Sequence, residues 1–229
     1  MSANEWKVPV GADHVTAIYE SGSQARDTAL FVCAHGAGGS MADKGMLATA
    51  AALRAAGIGV VRFNFIYKEK GDRRPDFMPK LMDTVTAVVE HVRSELKSAP
   101  AARTDRLIIG GRSMGGRAAS MLAARGFDAK GLLLLAYPLH PAGQPGKLRD
   151  AHLPQIRMPV LCFNGTRDPL CTPALMRTAL ESVTAPWQME WVDGADHSFH
   201  VLKSSGRTDA EVMGVIAAVS EAWADRIPA

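Results

Sequence analysis

A serine flanked by glycines is the feature of the sequence that most directly suggests chemistry. Gly111-Arg112-Ser113-Met114-Gly115 matches the pattern G-x-S-x-G. An apolar run at residues 106–110 precedes it, and a helical pattern at residues 118–125 follows it. In a strand-turn-helix of this kind the serine occupies a strained turn, and small neighbours let the helix approach the strand closely. Five letters alone are a weak signal, so the prediction of a nucleophilic serine depends on this context.

Two further residues supply what a serine nucleophile needs. A hydroxyl is a poor nucleophile at neutral pH, so a base must remove its proton and a carboxylate must orient that base. Asp168 lies just after one predicted strand, and His197 lies just after the next. The order Ser, Asp, His along the chain is that of α/β-hydrolases, whereas chymotrypsin-like and subtilisin-like enzymes have other orders. In an open α/β sheet the three side chains would meet beyond the carboxyl ends of the strands.

Other residues compete for two of these roles. Asp168 could simply cap the turn before Pro169, since Asp is common in turns. We prefer His197 as the base because it follows the strand and turn most directly. The competing residues are His140 and His200 for the base, and Asp193 and Asp196 for the carboxylate.

A second glycine-rich loop is expected to stabilise negative charge. His35-Gly36-Ala37-Gly38-Gly39 directly follows a predicted strand. Acyl transfer needs backbone donors for the developing oxyanion, one from the residue after the nucleophile and one from a loop of this kind. We therefore predict an oxyanion hole formed by the N–H groups of Ala37 and Met114. The rival interpretation is a phosphate loop, but G-x-G-x-x-G starting at Gly36 would need a glycine where Met41 stands, and no G-K-[ST] is present.

Several basic residues near the predicted site could contact substrate. Arg112 and Arg117 flank the serine, and Arg73 and Arg74 precede a predicted long helix. Together they could form a cationic mouth that selects acidic substrates, although surface arginines usually make solvated or structural pairs. The candidate substrate-binding residues are Arg112, Arg117 and His140.

The segment between Tyr137 and Pro159 bears on access to the site. A cap domain would normally be inserted after the strand that ends near Tyr137, but this segment is short and rich in Pro, Gly and His. It has room for a loop and one short helix. We therefore expect an open site without a large cap, and an acyl substrate that is small or displayed on something larger rather than a long lipid chain.

The elements that must position these residues alternate between short apolar runs and longer amphipathic segments. This alternation predicts an α/β fold with a mostly parallel central sheet and helices on both faces. Strands are predicted at residues 14–20, 29–34, 59–65, 106–110, 131–136, 160–164 and 188–192.

The helices have recognisable ends and faces. An apolar stripe predicts a helix over residues 81–96, and an alanine-rich segment, residues 42–56, predicts another that ends at Gly57. Thr172 and Pro173 are a predicted N-cap and first helical residue of a helix reaching Val183. Thr208 and Glu211 form a predicted capping box. One apolar face is expected after this box, formed by Val212, Val215, Ile216, Val219 and Trp223.

Composition bounds the remaining possibilities. The 229 residues include 26 Lys or Arg and 23 Asp or Glu, a net charge of +3, and 47% are hydrophobic. This composition favours one globular domain, residues 1–229, over disorder, and no basic run marks a nucleic-acid partner. No apolar stretch could span a bilayer, and residues 1–10 lack the apolar core of a signal peptide. Three cysteines without a C-x-x-C pair argue against disulfides or a zinc cluster and fit a reducing cytoplasm.

Three segments resemble a known group of proteins. These are Gly110-Gly111-Arg112-Ser113-Met114-Gly115-Gly116-Arg117-Ala118-Ala119, Tyr137-Pro138-Leu139-His140-Pro141 and Asp196-His197-Ser198-Phe199. They resemble the small α/β-hydrolase domain shared by bacterial predicted hydrolases, testis-expressed hydrolase-like proteins and a subunit of the nuclear NSL acetyltransferase complex. The resemblance runs from about residue 29 to the C-terminus and is more distant to dienelactone hydrolases. It implies the α/β-hydrolase fold and, by position, the roles given above to Ser113, Asp168 and His197.

The resemblance also sets limits. Dienelactone hydrolases carry Cys where this chain has Ser113, so their lactone substrate does not carry over. The NSL relative implies that some members act as scaffolds.

The sequence thus predicts a serine hydrolase that cleaves carboxylic ester or thioester bonds through an acyl-enzyme. It needs no metal or other cofactor, and its partner is a small-molecule acyl substrate rather than a nucleic acid or a membrane. A haloalkane dehalogenase is excluded because it would need a carboxylate at position 113. The alternatives are a non-catalytic interaction scaffold that keeps the hydrolase fold and, third, a peptidase.

Overall fold

The architecture is described for residues 3–228 in a computed structural model. Eight strands alternate with six α-helices along these residues. The strands are β1 (Ala3–Val10), β2 (Asp13–Glu20), β3 (Leu30–Ala34), β4 (Gly59–Phe63), β5 (Leu107–Arg112), β6 (Gly131–Leu135), β7 (Val160–Gly165) and β8 (Trp187–Val192). The helices are α1 (Lys44–Ala55), α2 (Ile66–Glu69), α3 (Met78–Glu95), α4 (Met114–Ala124), α5 (Pro173–Leu180) and α6 (Asp209–Asp225).

All eight strands form one sheet in the order β1-β2-β4-β3-β5-β6-β7-β8. The pairs β1–β2 and β2–β4 are antiparallel, and all later pairs are parallel. Because β3, β5, β7 and β8 run in the same direction, the loops that follow them open at one edge of the sheet. The residues predicted to do chemistry lie in those loops.

Side chains of the central strands alternate between two buried layers, as strand geometry requires. In β5, Ile109 packs into the layer covered by α3 and α4, and Ile108 packs into the layer covered by α1 and α6. The central strands are fully buried on both faces, which explains why they read as continuous apolar runs. The predicted mostly parallel sheet with helices on both faces is confirmed.

The seven predicted strands are present, with ends shifted by one or two residues. The most consequential shift is in β5, which runs to Arg112, so this arginine lies on the strand and not in the turn. The strand β1 was not predicted. It is an antiparallel edge strand in which Val8 is buried and Trp6 stacks on Tyr19 of β2.

Two helix predictions need correction. The capping box of α6 is present, but Val215 is 61% exposed and does not belong to the buried face of that helix. The helix α5 ends at Leu180 rather than Val183, and Thr172 makes no side-chain hydrogen bond to it. The hydroxyl of Thr172 is instead 2.9 Å from Nε2 of His140, a partner 32 residues away that local sequence does not reveal.

The site is not covered by a cap domain. Residues 136–159, between β6 and β7, contain a single turn of 3₁₀ helix, Leu153–Gln155. The expectation of no large cap is confirmed. No helix within residues 3–228 has the length and apolar character needed to cross a membrane.

Candidate active site

Ser113 occupies a strained turn between β5 and α4. Its φ and ψ are 48° and −114°, a conformation that costs a non-glycine residue about 1–3 kcal/mol. Hydrogen bonds from Ser113 N–H to the Leu135 carbonyl and from Arg117 N–H to the Ser113 carbonyl, both 2.9 Å, hold the turn. The result is a hydroxyl presented at the open edge of the sheet.

Glycines make this turn possible because other chain segments press against it. A Cβ at Gly111, whose φ is 140°, would lie 2.1 Å from the carbonyl oxygen of Ala34. A Cβ at Gly115 would lie 2.6 Å from the carbonyl oxygens of both Ala34 and His35. The motif glycines therefore let α4 and β5 pack directly against the end of β3.

The structure brings the three predicted catalytic side chains into one hydrogen-bonded chain. Nε2 of His197 is 2.9 Å from Oγ of Ser113, and Nδ1 of His197 is 2.8 Å from Oδ2 of Asp168. An ionised carboxylate can only accept, so the proton of the neutral imidazole belongs on Nδ1. Nε2 is then free to accept the serine proton, which is the arrangement a general base requires.

Asp168 is held as an acceptor by its surroundings. Its side chain is fully buried. Besides His197, the Oδ2 atom accepts from Nδ2 of Asn164 at 3.1 Å, and Oδ1 accepts from Leu170 N–H at 2.8 Å. Three hydrogen-bond donors thus fix the position of this buried carboxylate.

The loop that carries His197 is shaped by its neighbour Asp196. Oδ1 of Asp196 accepts from the N–H groups of Ser198 at 2.7 Å and His200 at 3.0 Å. Phe199, with φ of 61°, is buried in the layer formed with α1 and α6. The loop is thus anchored on both sides of His197.

The residues that competed for the triad roles have other partners. His200 is exposed and pairs with Asp209 at 2.9 Å, and Asp193 accepts from the Thr166 hydroxyl at 3.2 Å. His140 is buried, with Nδ1 3.0 Å from the Pro141 carbonyl and Nε2 accepting from Thr172. None of these side chains is hydrogen-bonded to Ser113 or His197.

Cys171 lies near Asp168 but is not suited to act as a nucleophile. It is fully buried, and burial together with the charge of Asp168 raises the pKa of its thiol to about 12. The thiolate, which is the reactive form, is therefore disfavoured at neutral pH.

The loop after β3 lies beside the nucleophile and directs a backbone donor. A Cβ at Gly36 would be 3.5 Å from Cβ of Ser113. The carbonyl of Gly36 accepts from Gly39 N–H at 3.1 Å and from Nδ1 of His35 at 2.8 Å. Because a trans peptide is planar, its N–H points away from its carbonyl, so fixing the Gly36 carbonyl fixes the direction of Ala37 N–H.

His35 and Tyr67 are the side chains that hold this loop. Nε2 of His35 accepts from Phe65 N–H at 3.2 Å, which places the ring proton on Nδ1, and burial lowers the pKa of this histidine. The hydroxyl of Tyr67 donates to the Ala37 carbonyl at 2.9 Å. Among residues 3–228 the N–H groups of Ala37 and Met114 donate to no acceptor, so both predicted oxyanion donors are free.

These groups border one cavity of about 510 Å³. The wall is formed mainly by backbone of the glycine-rich loop, with Leu170 as a larger apolar side chain. Among the described residues that line it, the acidic and basic side chains are Asp43, Arg112 and His197. Over residues 3–228, no three His, Cys, Asp or Glu side chains are grouped so that they could hold a metal ion.

Of the three predicted substrate-binding residues, the structure brings one to this cavity. Arg112 lines it beside Ser113. Arg117 does not line it, because α4 turns its side chain toward Tyr137 and His152. Its Nε is buried there, with no hydrogen-bond partner in the described part of the chain. His140 is absent from the wall too, since both of its ring nitrogens bind the neighbouring loops.

Sequence reasoning missed three supporting side chains: Asn164, His35 and Tyr67. Asn164 bonds Asp168 and also both backbone polar groups of Tyr137. For Asn164 the available signal was a polar residue near the end of an otherwise apolar strand. For His35 it was the position directly before Gly36. Tyr67 gave none, because its contact depends on how the chain returns after β4.

Comparisons with known proteins agree with the fold described above. The sequence profile of the alpha/beta hydrolase domain matches residues 27–225. A serine hydrolase homologue from Coxiella burnetii is 18% identical, with a TM-score of 0.76 over 96% of this chain and 98% of that one. An α/β serine hydrolase without lid from Xanthomonas campestris is 25% identical, with a TM-score of 0.73 over 100% and 95%. A dienelactone hydrolase from Anabaena variabilis is 19% identical, with a TM-score of 0.73 over the whole of both chains. The match over residues 27–225 covers most of the protein, and the chain belongs to the α/β-hydrolase family.

Proposed function

We propose that this protein is a serine hydrolase that cleaves carboxylic esters or thioesters through an acyl-enzyme. The observation that carries the proposal is the unbroken chain of hydrogen bonds from Ser113 through His197 to Asp168. The serine hydrolases among its structural relatives support the same class of reaction.

The chemistry follows from the positions of the groups. Nε2 of His197 takes the proton of Ser113 as Oγ attacks the substrate carbonyl, and Asp168 stabilises the imidazolium that forms. The N–H groups of Ala37 and Met114 stabilise the oxyanion of the tetrahedral intermediate. His197 then protonates the leaving alcohol or thiol, and the acyl group stays on Ser113.

Deacylation repeats these steps with water. His197 removes a proton from a water molecule, the hydroxide attacks the acyl-enzyme carbonyl, and the proton returns to Ser113 as the carboxylic acid leaves. The water-accessible cavity and the lack of a large cap support a small acyl group. Three free, buried cysteines support a reducing compartment such as the cytoplasm.

The test is covalent labelling with a fluorophosphonate, followed by peptide mapping. We expect a single adduct on Ser113 that is lost in His197→Ala. The control is His200→Ala, which removes an exposed histidine three residues away and should leave labelling intact. A folded protein that remains unlabelled would contradict the proposal and favour the non-catalytic scaffold.

A further inference from the structure

Arg112 is the charged side chain nearest to Ser113 in sequence, and it lies on the substrate side of the site. As the last residue of β5 it projects into the layer of α1 and α6, where its guanidinium sits 5.7 Å from the ring centre of Phe199. It lines the cavity together with Ser113 and His197. A group bound in this cavity is therefore within reach of both the nucleophile and a cation.

The guanidinium of Arg112 has no ionic partner among residues 3–228. No carboxylate of residues 3–228 lies within 4.0 Å of it, and none of its nitrogens is assigned a hydrogen bond there. Arg62, which is more deeply buried than Arg112, pairs with Glu20 at 2.7 Å. A guanidinium that is even partly buried usually has such a partner, so the lack of one at Arg112 needs a reason.

The two carboxylates nearest to Arg112, those of Asp43 and Asp196, accept hydrogen bonds from backbone N–H groups. Asp43 caps α1, accepting from Met46 N–H at 2.9 Å and from Ser40 N–H at 3.0 Å. Asp196 binds the backbone of the His197 loop, as described above. Burial lowers the pKa of Arg112, and the charges of these two carboxylates only partly oppose that effect. These backbone hydrogen bonds hold both carboxylates more than 4.0 Å from the guanidinium nitrogens of Arg112.

Space is left for this side chain at the start of α1. A Cβ on Gly45 would lie 3.1 Å from Nη1 of Arg112, closer than ordinary contacts. The glycine thus lets the guanidinium lie against the start of the helix, in the wall of the cavity.

We propose that Arg112 binds a carboxylate of the substrate, so that the preferred substrates are esters or thioesters carrying a carboxylate a few bonds from the scissile carbonyl. This inference rests on the function proposed above. A guanidinium presents parallel N–H donors that match the two oxygens of a carboxylate, and such charge-assisted pairs are stronger than neutral hydrogen bonds. The substrate would supply the partner that the folded chain does not.

The kinetic test compares esters that differ only in charge. Monomethyl glutarate is compared with methyl pentanoate, and monomethyl adipate with methyl hexanoate, in the wild type, Arg112→Gln, Arg112→Lys and Arg125→Gln. We expect Arg112→Gln to lower the ratio of anionic to neutral kcat/KM by about 10- to 100-fold. Arg112→Lys keeps the charge and should restore part of the ratio. Arg125→Gln removes an exposed arginine at the far end of α4 and should leave the ratio unchanged.

A binding test separates this inference from the proposed reaction. In Ser113→Ala, which cannot turn over substrate, the Kd of monomethyl glutarate is measured by calorimetry with and without Arg112→Gln. We expect monomethyl glutarate to bind at least 10-fold more weakly when Arg112→Gln is added to Ser113→Ala. If the Gln variant does not fold, Arg112→Lys in the Ser113→Ala background tests whether a positive charge alone supports binding. Equal Kd values, or no saturable binding in either protein, would overturn the inference. If Ser113 is never labelled while the difference in binding persists, the reaction is wrong and the anion site stands.

Discussion

His35 makes two hydrogen bonds with different consequences, and two substitutions can separate them. Nδ1 donates to the Gly36 carbonyl and so directs Ala37 N–H, whereas Nε2 accepts from Phe65 N–H and so satisfies a buried donor. The amide of Asn can reach the position of Nδ1, and the longer Gln can reach that of Nε2. His35→Asn is therefore expected to preserve catalysis at the expense of stability, and His35→Gln to do the reverse.

The magnitudes follow from what each variant leaves unpaired. In His35→Asn the buried Phe65 N–H loses its acceptor, which costs about 1–3 kcal/mol of the free energy of unfolding. In His35→Gln the Gly36 carbonyl keeps only Gly39 N–H. Removing an oxyanion donor outright lowers kcat by about 100- to 1000-fold. Here the donor remains but its direction is less well fixed, so we expect a loss of about 10-fold in kcat. KM should change little, since the oxyanion forms only in the transition state.

The assay is steady-state hydrolysis of 4-nitrophenyl acetate together with urea unfolding of the same preparations. The two variants serve as controls for each other, because each replaces the same buried residue and removes one of its two hydrogen bonds. Parallel losses of kcat and stability in both variants, or an unchanged kcat in His35→Gln, would refute the argument that His35 directs an oxyanion donor.

Three further predictions concern the frame around the site. Gly111→Ala is expected to lower the free energy of unfolding by more than about 4 kcal/mol or to prevent folding, because its Cβ would lie 2.1 Å from the Ala34 carbonyl oxygen. The matched control is Gly126→Ala, where φ is also positive but nothing lies within 4 Å of the new Cβ. It should lower the free energy of unfolding, measured in urea, by about 1–2 kcal/mol. Burial, assisted by the charge of Arg117, lowers the pKa of His152 to about 4. As the pH falls, His152 takes up a proton in the unfolded state near pH 6.5 but in the folded state only near pH 4. The stability that comes from keeping this histidine neutral is therefore present above about pH 6.5 and is lost as the pH falls toward about 4. His152→Gln should flatten the pH dependence of urea midpoints in that range. Thr208→Ala removes the hydroxyl that accepts from Glu211 N–H at 3.2 Å and is expected to cost about 1 kcal/mol in thermal or urea unfolding without changing Ser113 labelling.

The sequence predicted those parts of the site that depend on local order. Ser113, Asp168 and His197 each lie in a turn or loop after a predicted strand, and parallel strands bring such turns to one edge of a sheet. Their convergence therefore needed only the strand pattern and the chain order. The loop at Gly36 could be placed beside them for the same reason.

What the sequence did not predict depends on contacts between distant segments. The position of Arg117 on α4, facing Tyr137 and away from the cavity, requires the packing angle of the helix, which the G-x-S-x-G motif does not state. His140 lies in the loop after β6, a strand at the centre of the sheet, but its partner Thr172 comes from the start of α5.

The edge strand β1 shows a signal that was present but weak. Its inward residues Trp6 and Val8 alternate with the outward Glu5 and Lys7, which is the period of a strand with one solvated face. Only pairing with β2 makes this short alternation meaningful.

The central claim is that His197 and Asp168 make Ser113 the nucleophile of an ester-cleaving enzyme. The most direct measurement is the mass of the protein acid-quenched during turnover of a short 4-nitrophenyl ester, followed by mapping of the modified peptide. We predict one acyl group on Ser113 in the wild type and none in Ser113→Ala or His197→Ala. Turnover that persists in Ser113→Ala, or an acyl group found on another residue, would contradict the account.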